Sequence, residues 1–551
     1  MRSGPVGAVA LGMACAAVVG SSPGVARADE VFLDFTESLF VDWHWLLDDP
    51  QLDDDDQHDV VDLRNRLNAR ARWGHLTFGL RLDAALFASP PSSQYASDVR
   101  PEELFVAWAD GPWRLVAGDD YLTIGRGMAL SLRKLDEIGF TTNLRGLHAQ
   151  LRGPLSARIG VGLTNVVNVD LVEEKLVPDP LDLVGVARLE HELGDDARVG
   201  AHAVVIARRH SGVRGAIAGI FGDDDDDPIA GRRFNASTIV GADVAGAISL
   251  GGEDRLELFA EGDYLIVDET RETLAGAEQA GQDGYALYAS ATASLDRTIV
   301  LLEGKHYDHY AVQSSPHPDT ADEQGITQTF PYIAPPTLER VDQRVVNNTD
   351  VTGAHLRVDH ALARSATGAS SSLFGSLAWF ADAPAEREWT FHGYLGWERN
   401  APGGRRVLLQ AGLRWEEAPE EDLTRLRMVH LDLDWFEVVA PGVDLQLHWS
   451  HEIRDKNIGA PSIQEGYMEG TFYLSVNLPP HWSITGQVEY LTDAATTNPT
   501  FPGGFLQYKI DSQSFVRLFV GRSKGGLKCS GGICRVFPDF DGLKLETTLR
   551  F

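Results

Sequence analysis

Asp541 to Phe551, DGLKLETTLRF, is the stretch whose reading decides the fold. Counting back from its carboxyl end, Leu543, Leu545, Leu549 and Phe551 share one parity with Thr547, while Lys544, Glu546, Thr548 and Arg550 share the other. This is a strand of period two, apolar on one face and charged on the other. Soluble sandwiches and transmembrane barrels both use such strands, so the rest of the chain has to decide between them.

The same alternation runs from Asp29 onward. Val61, Leu63, Leu67, Ala69 and Trp73 alternate with Arg64, Arg66, Arg70 and Arg72; after a turn at Gly74-His75, Leu76, Phe78, Leu80 and Leu82 alternate with Thr77, Gly79, Arg81 and Asp83. Two neighbouring strands thus present one greasy face and one rich in arginine. The pattern returns at Leu256 to Tyr264, Val407 to Trp415, Val443 to Trp449 and Trp482 to Tyr490. Thr424 to Glu437 keeps no single phase, which predicts a bulge there. Connections alternate in length. Short ones fall near Gly74, Gly111-Pro112, Gly153-Pro154, Gly194-Asp195, Gly251-Gly252, Asp296-Arg297, Arg364 to Ser370, Pro402-Gly403, Pro441-Gly442, Pro479-Pro480 and Asp511-Ser512. Between them lie mostly longer, often acidic loops such as 47–58, 87–102, 120–141, 209–236, 308–350 and 523–541. Short turns on one side and long loops on the other predict an all-β fold: a single large antiparallel transmembrane barrel of about 24 strands, within a range of roughly 20 to 26.

Composition agrees with export. Met1 and Arg2 precede an apolar run from about Pro5 to Gly20, and Val25-Ala26-Arg27-Ala28 offers a cleavage site, so residues 1–28 read as a signal peptide and 29–551 as the barrel. Beyond it no run of about 18 apolar residues exists, which excludes helical spans but not a closed barrel. The mean hydropathy of −0.16 is what alternating strands produce. The formal charge is −32; removing Arg2 and Arg27 takes 48 basic residues to 46 against 80 acids, or −34. Such a surface repels nucleic acid. The acidic runs Asp53 to Asp56 and Asp223 to Asp227 read as solvated loops or as points where divalent cations bridge to anionic lipid; neither has calcium-loop spacing. Cys529 and Cys534, in one Gly-rich loop, read as a disulfide, since the loop lacks the further ligands a metal site needs.

A chain that stops on Phe551 at the end of such a strand resembles the terminal strand of bacterial outer-membrane barrels, and the resemblance implies that this strand is the signal read by the barrel-assembly machinery. Tryptophans agree: Trp73, Trp113 and Trp482 lie beside short turns, and Trp45, Trp379, Trp389 and Trp415 near the opposite ends, as in the two aromatic girdles of a membrane protein. With its Gly125-Arg126-Gly127, the later Leu144-Arg145-Gly146 and the Cys529 to Phe551 end, the chain also resembles a porin-like outer-membrane barrel family of unknown function. That resemblance implies location and fold. It carries no substrate and no catalytic residue.

A polar lumen predicts passage of small hydrophilic solutes or ions, with outer-membrane lipid and lipopolysaccharide as surroundings. A ring of about 24 strands is wider than those that already leave channels, so something has to fill it. The candidate is Gly118 to Gly146, GDDYLTIGRGMALSLRKLDEIGFTTNLRG, whose middle from Met128 to Ile138 is not strand-like. Folded into the lumen as a constriction, it sets Arg126, Arg133, Lys134 and Arg145 against Asp119, Asp120, Asp136 and Glu137, with Arg64, Arg66, Arg70 and Arg72 on the wall. The proline-rich loop 308–350 is a second candidate lid. No His-Glu-x-x-His pair is present, and no catalytic residue, metal site or cofactor is assigned. A surface adhesin or scaffold, and less so a barrel hydrolase, are the competing functions. Weak cation selectivity is expected from the acidic loops, reversed locally by the arginine ladder.

Overall fold

The computed structural model describes residues 31–45, 59–88, 98–135, 140–166, 182–194, 196–208, 235–268, 270–272, 278–280, 282–313, 331–336, 350–362, 368–382, 389–417, 426–457, 464–492, 499–530, 533–537 and 540–550. Residues 1–30, both acidic runs, Asp136, Glu137 and Phe551 lie outside these, and with them the calls on the signal peptide, on those loops and on the insertion signal.

The fold is a closed antiparallel barrel of 24 strands. It opens with Val31–Trp45, which pairs on one side with Asp59–Trp73 and on the other with the last strand, Phe540–Arg550. Phe540–Arg550 pairs in turn with Phe515–Ser523, so every barrel strand has two neighbours and no edge is left. Backbone groups satisfied all round are what a sheet needs in hydrocarbon. The short connections among the described residues fall where Gly, Pro and Asp place them. Gly74, Gly111, Gly442 and Asp296 have positive φ, which the tight hairpins require.

Alternation decides the two faces. Along Trp389–Ala401, Leu395 is 74% exposed while its neighbour Tyr394 is buried; along Leu426–Ala440, Val429 is exposed while Met428 and His430 are buried. Exposed Leu, Ile, Val and Phe clothe the outside of the ring, and His, Arg, Asp, Glu and Gln line the inside. Trp73, Trp113 and Trp482 are exposed at the short-turn end, and Trp379 and Trp415 at the other. Trp482 sets its ring 4.7 Å from, and tilted by 57° to, that of Tyr508, its register partner on Thr500–Lys509. Asn65 and Glu37 depart from the rule: Asn65 donates to Glu37 over 2.8 Å on the parity of Leu63 and Leu39, beside the seam where first and last strands meet.

The expected bulge is displaced. Leu426–Ala440 keeps continuous register with Val443–Asn457 from Leu426 to Val438, and slips only between Val438 and Ala440. The phase is blurred in sequence because Met428 and Phe436 are apolar residues on the inward parity, with His430, Asp432 and Asp434 between them.

Candidate functional site

Between Trp113–Asp120 and Phe140–Leu151 the chain leaves the wall and folds inward. Leu122–Ile124 pairs with Leu130–Leu132, so the stretch expected to be non-strand contains a small hairpin. Its turn is made by Gly125 and Gly127, with φ of 62° and 86°, and closed by Gly127 N–H donating to Ile124 C=O over 3.1 Å. The hairpin is held because its side chains have nowhere better to go: Ile124, Met128, Leu130 and Leu132 are fully buried. They pack on inward wall residues Leu144, Val184, Val186, Val204, Ile206, Ile239 and Leu265. Burying each such side chain is worth about 1.5–3 kcal/mol. The apolar inward positions at 184, 186, 204 and 206 break the polar-inside rule, and the hairpin is what they face.

The 308–350 loop joins it. Two of its described parts, 309–313 and 331–336, meet at a bridge between Gln313 and Pro331, and Tyr332 N–H donates to Val312 C=O over 3.0 Å. They clasp the hairpin from above: Ser131 N–H donates to Tyr332 C=O over 2.7 Å, and Ala334 N–H to Gly127 C=O over 2.8 Å. The Tyr332 hydroxyl bonds Asp182 and Thr164 on the wall, at 2.8 and 3.0 Å. Tyr310 is wholly buried, which pushes its phenol well above the ordinary range, with Asp263 and Glu261 adding to the effect.

The charged residues expected at a constriction are distributed in three ways. Asp120 faces inward, paired with Arg114 at 2.8 Å. Arg126 is exposed, with its guanidinium 4.3 Å above the Phe259 ring and its backbone N–H donating to Glu261 over 2.7 Å. Arg133 donates to the Ser131 hydroxyl over 3.0 Å, and burial pushes its guanidinium down to about 10; Lys134 is exposed. Arg145 and Asp119 do pair, at 3.0 Å, but on the other face of the wall. Leu144 beside Arg145 is buried against the hairpin and Leu147 is 64% exposed, so alternation turns Arg145 outward, and its register partner Asp119 with it. The sequence expectation for these two is corrected on that ground.

The arginine ladder is not bare either. Arg66 lies 3.4 Å from Asp83, Arg81 2.6 Å from the same carboxylate, and Arg70 4.0 Å from Glu103. Asp83 and Glu103 stand across the register from Arg66 and Arg81, so two adjacent strands cancel much of the charge that one displays.

Sequence reasoning missed the opposite sector. From Trp389–Ala401 round to Phe540–Arg550 the inward faces carry polar ladders: His392 and His430 in contact at 3.1 Å, Asp434 with His448, Arg454 with Glu452 and Glu469, Arg517 with Glu546. Asp434, His448 and Arg517 keep 40%, 35% and 37% of their side-chain surface exposed. Of the buried apolar cluster around the hairpin, no member comes from these strands.

Residues 460–551 match a family model described as a family of unknown function (DUF6029). No curated protein matches the chain. Among solved structures, the chain is similar to the "Copper transporter OprC" at 10% identity and a TM-score of 0.42, covering 96% of this chain and 82% of that one. It is similar to the P pilus usher (PapC) translocation pore at 8% identity and a TM-score of 0.40, over 94% and 98%. OccK5 (OpdH) of Pseudomonas aeruginosa follows at 11% and 0.38, over 71% and 93%.

Proposed function

We propose that the protein is a bacterial outer-membrane channel through which small hydrophilic solutes and ions pass passively, beside rather than through the infolded hairpin. The observation that carries this reading is the asymmetry of the lumen. An apolar cluster fills one sector of the ring, and half-exposed charged side chains line the other. Water wets a wall of paired charges and leaves an apolar one, so solute moves along the ladder of Asp434, His448, Arg454, Glu469 and Arg517. Outer-membrane lipid and lipopolysaccharide surround the exposed apolar face, the barrel-assembly machinery inserts it, and residues 1–28 direct export.

The test is conductance. The purified full chain in planar bilayers is expected to give stepwise currents, and a salt gradient a reversal potential on the cation side, since acids outnumber bases 80 to 48. Persistent silence favours an adhesin or scaffold instead. A second prediction concerns the pair Gly526–Ser530 and Ile533–Phe537, in which Cys529 and Cys534 are register partners. If they are joined, alkylation labels neither cysteine until the protein is reduced; labelling beforehand removes the disulfide.

A further inference from the structure

We infer that the wall beneath the infolded hairpin holds a divalent metal ion of the zinc or manganese kind, bound by His202, Glu261 and Asp263. The site is built by register. His202, Gly241 and Asp263 form one row across three adjacent strands, and Gly200, Asp243 and Glu261 form the next. Because Gly241 has no side chain, His202 and Asp263 meet above it, Nε2 to Oδ1 at 2.7 Å. A Cβ at position 241 would lie 1.8 Å from Asp263 Oδ1 and 2.5 Å from His202 Nε2, so the row has room for these donors only with glycine there. One donor atom from each of His202, Glu261 and Asp263 falls within 4.8 Å of the others, and all three residues are buried.

A further feature points to a ligand rather than to a self-satisfied network. Glu261 is 3% exposed, and while Oε2 accepts the Arg126 N–H, Oε1 is buried with no hydrogen-bond partner. An orphaned carboxylate oxygen in such a place costs free energy unless a cation meets it. The surroundings also hold the donors in place. His202 Nδ1 lies 3.4 Å from Arg188 Nη1 and 3.9 Å from Asp243, itself held by Arg188 at 2.6 Å, and Nε2 is the ring nitrogen that faces Asp263. The Tyr310 hydroxyl lies 3.5 Å from the second oxygen of Asp263. One imidazole and two carboxylates suit zinc or manganese, and a dication offsets two carboxylates in a dry place. Gly125 seals the site: a Cβ there would fall 1.7 Å from Glu261 Oε1, so the hairpin turn closes directly over the metal. The ion therefore ties the hairpin's platform to the wall, and it enters as the barrel folds.

The full chain is refolded with zinc or with manganese, dialysed, and its metal content measured. About one ion per chain is expected, lost in Glu261→Gln and in His202→Ala while both variants keep the heat-modifiable gel mobility of a folded barrel. Wild-type protein free of both metals overturns the proposal, as does metal that either folded variant retains. Metal retained by His202→Ala but lost in His309→Ala belongs to the partly exposed Asp308, His309 and Asp350 group and likewise overturns it. Should neither variant fold, X-ray absorption of the zinc-loaded wild type decides: one imidazole among oxygen donors is expected, and an all-oxygen shell rejects the site. None of these readouts depends on conductance, so the channel reading and the metal site fail separately.

Discussion

Replacing residues 122–139 by a short Gly-Ser linker is expected to raise single-channel conductance several-fold without unmaking the barrel. The wall does not need the hairpin. Trp113–Asp120 and Phe140–Leu151 pair directly with each other from Trp113↔Leu151 to Asp120↔Leu144, so the ring stays closed when the excursion between them is removed. What is lost is the volume of a hairpin and the anchor for the 309–313 and 331–336 segments, the first hydrogen-bonded to Met128 and the second to Gly127 and Ser131. Both leave the same sector, and the path for ions widens by their combined cross-section. The uncovered wall is apolar at Val184, Val186, Val204 and Ile206, so the new space wets poorly. Adding Val186→Ser and Val204→Thr to the deletion is expected to raise conductance further. Conductance unchanged by the deletion would mean that ions already pass elsewhere or not at all, and the constriction reading would be wrong.

Much of this arrangement is legible in the residues, and what is not has a physical reason. Period-two alternation and turn chemistry are local, so the strands and their eleven short turns can be read off the chain. The count of 24 follows from them once the ring closes. Where the hairpin docks is a long-range fact. Gly125-Arg126-Gly127 announces a bend, but its target, Glu261, is 135 positions further on. The signal that was available is the run of apolar residues on the inward parity at Val184, Val186, Val204 and Ile206. An apolar patch inside a polar lumen has to be covered by something. Asp119 and Arg145 were misplaced for the opposite reason: both are charged and beside the infold, and charge alone does not say to which face a strand residue points. Register does. His202, Glu261 and Asp263 look like scattered wall residues in sequence because the strands that bring them together are separated by the 209–234 loop.

Leu395→Arg is expected to destabilise the inserted barrel by about 2–4 kcal/mol, whereas Asp434→Lys leaves stability nearly unchanged and shifts ion preference toward anions. Leu395 sits in the middle of Trp389–Ala401 and, among the described residues, is the most exposed of the large apolar side chains, at 74%. A guanidinium there must either enter hydrocarbon or bend back toward a headgroup, and mid-strand is the farthest point from both interfaces. Asp434 lies on the inward parity of its strand, hydrogen-bonded to His448 at 2.6 Å and 40% exposed, so a cation in its place meets water and no lipid. It repels entering cations and loses the His448 contact, a surface-type interaction of roughly 0–1 kcal/mol. Unfolding by denaturant from lipid vesicles measures the first effect, and reversal potentials measure the second. The two substitutions add like charges to strands separated only by Arg405–Glu417, so a difference between them follows from the face each side chain occupies. Were Leu395→Arg as harmless as Asp434→Lys, the apolar side of this cylinder would be facing water, and the membrane assignment would fall with it.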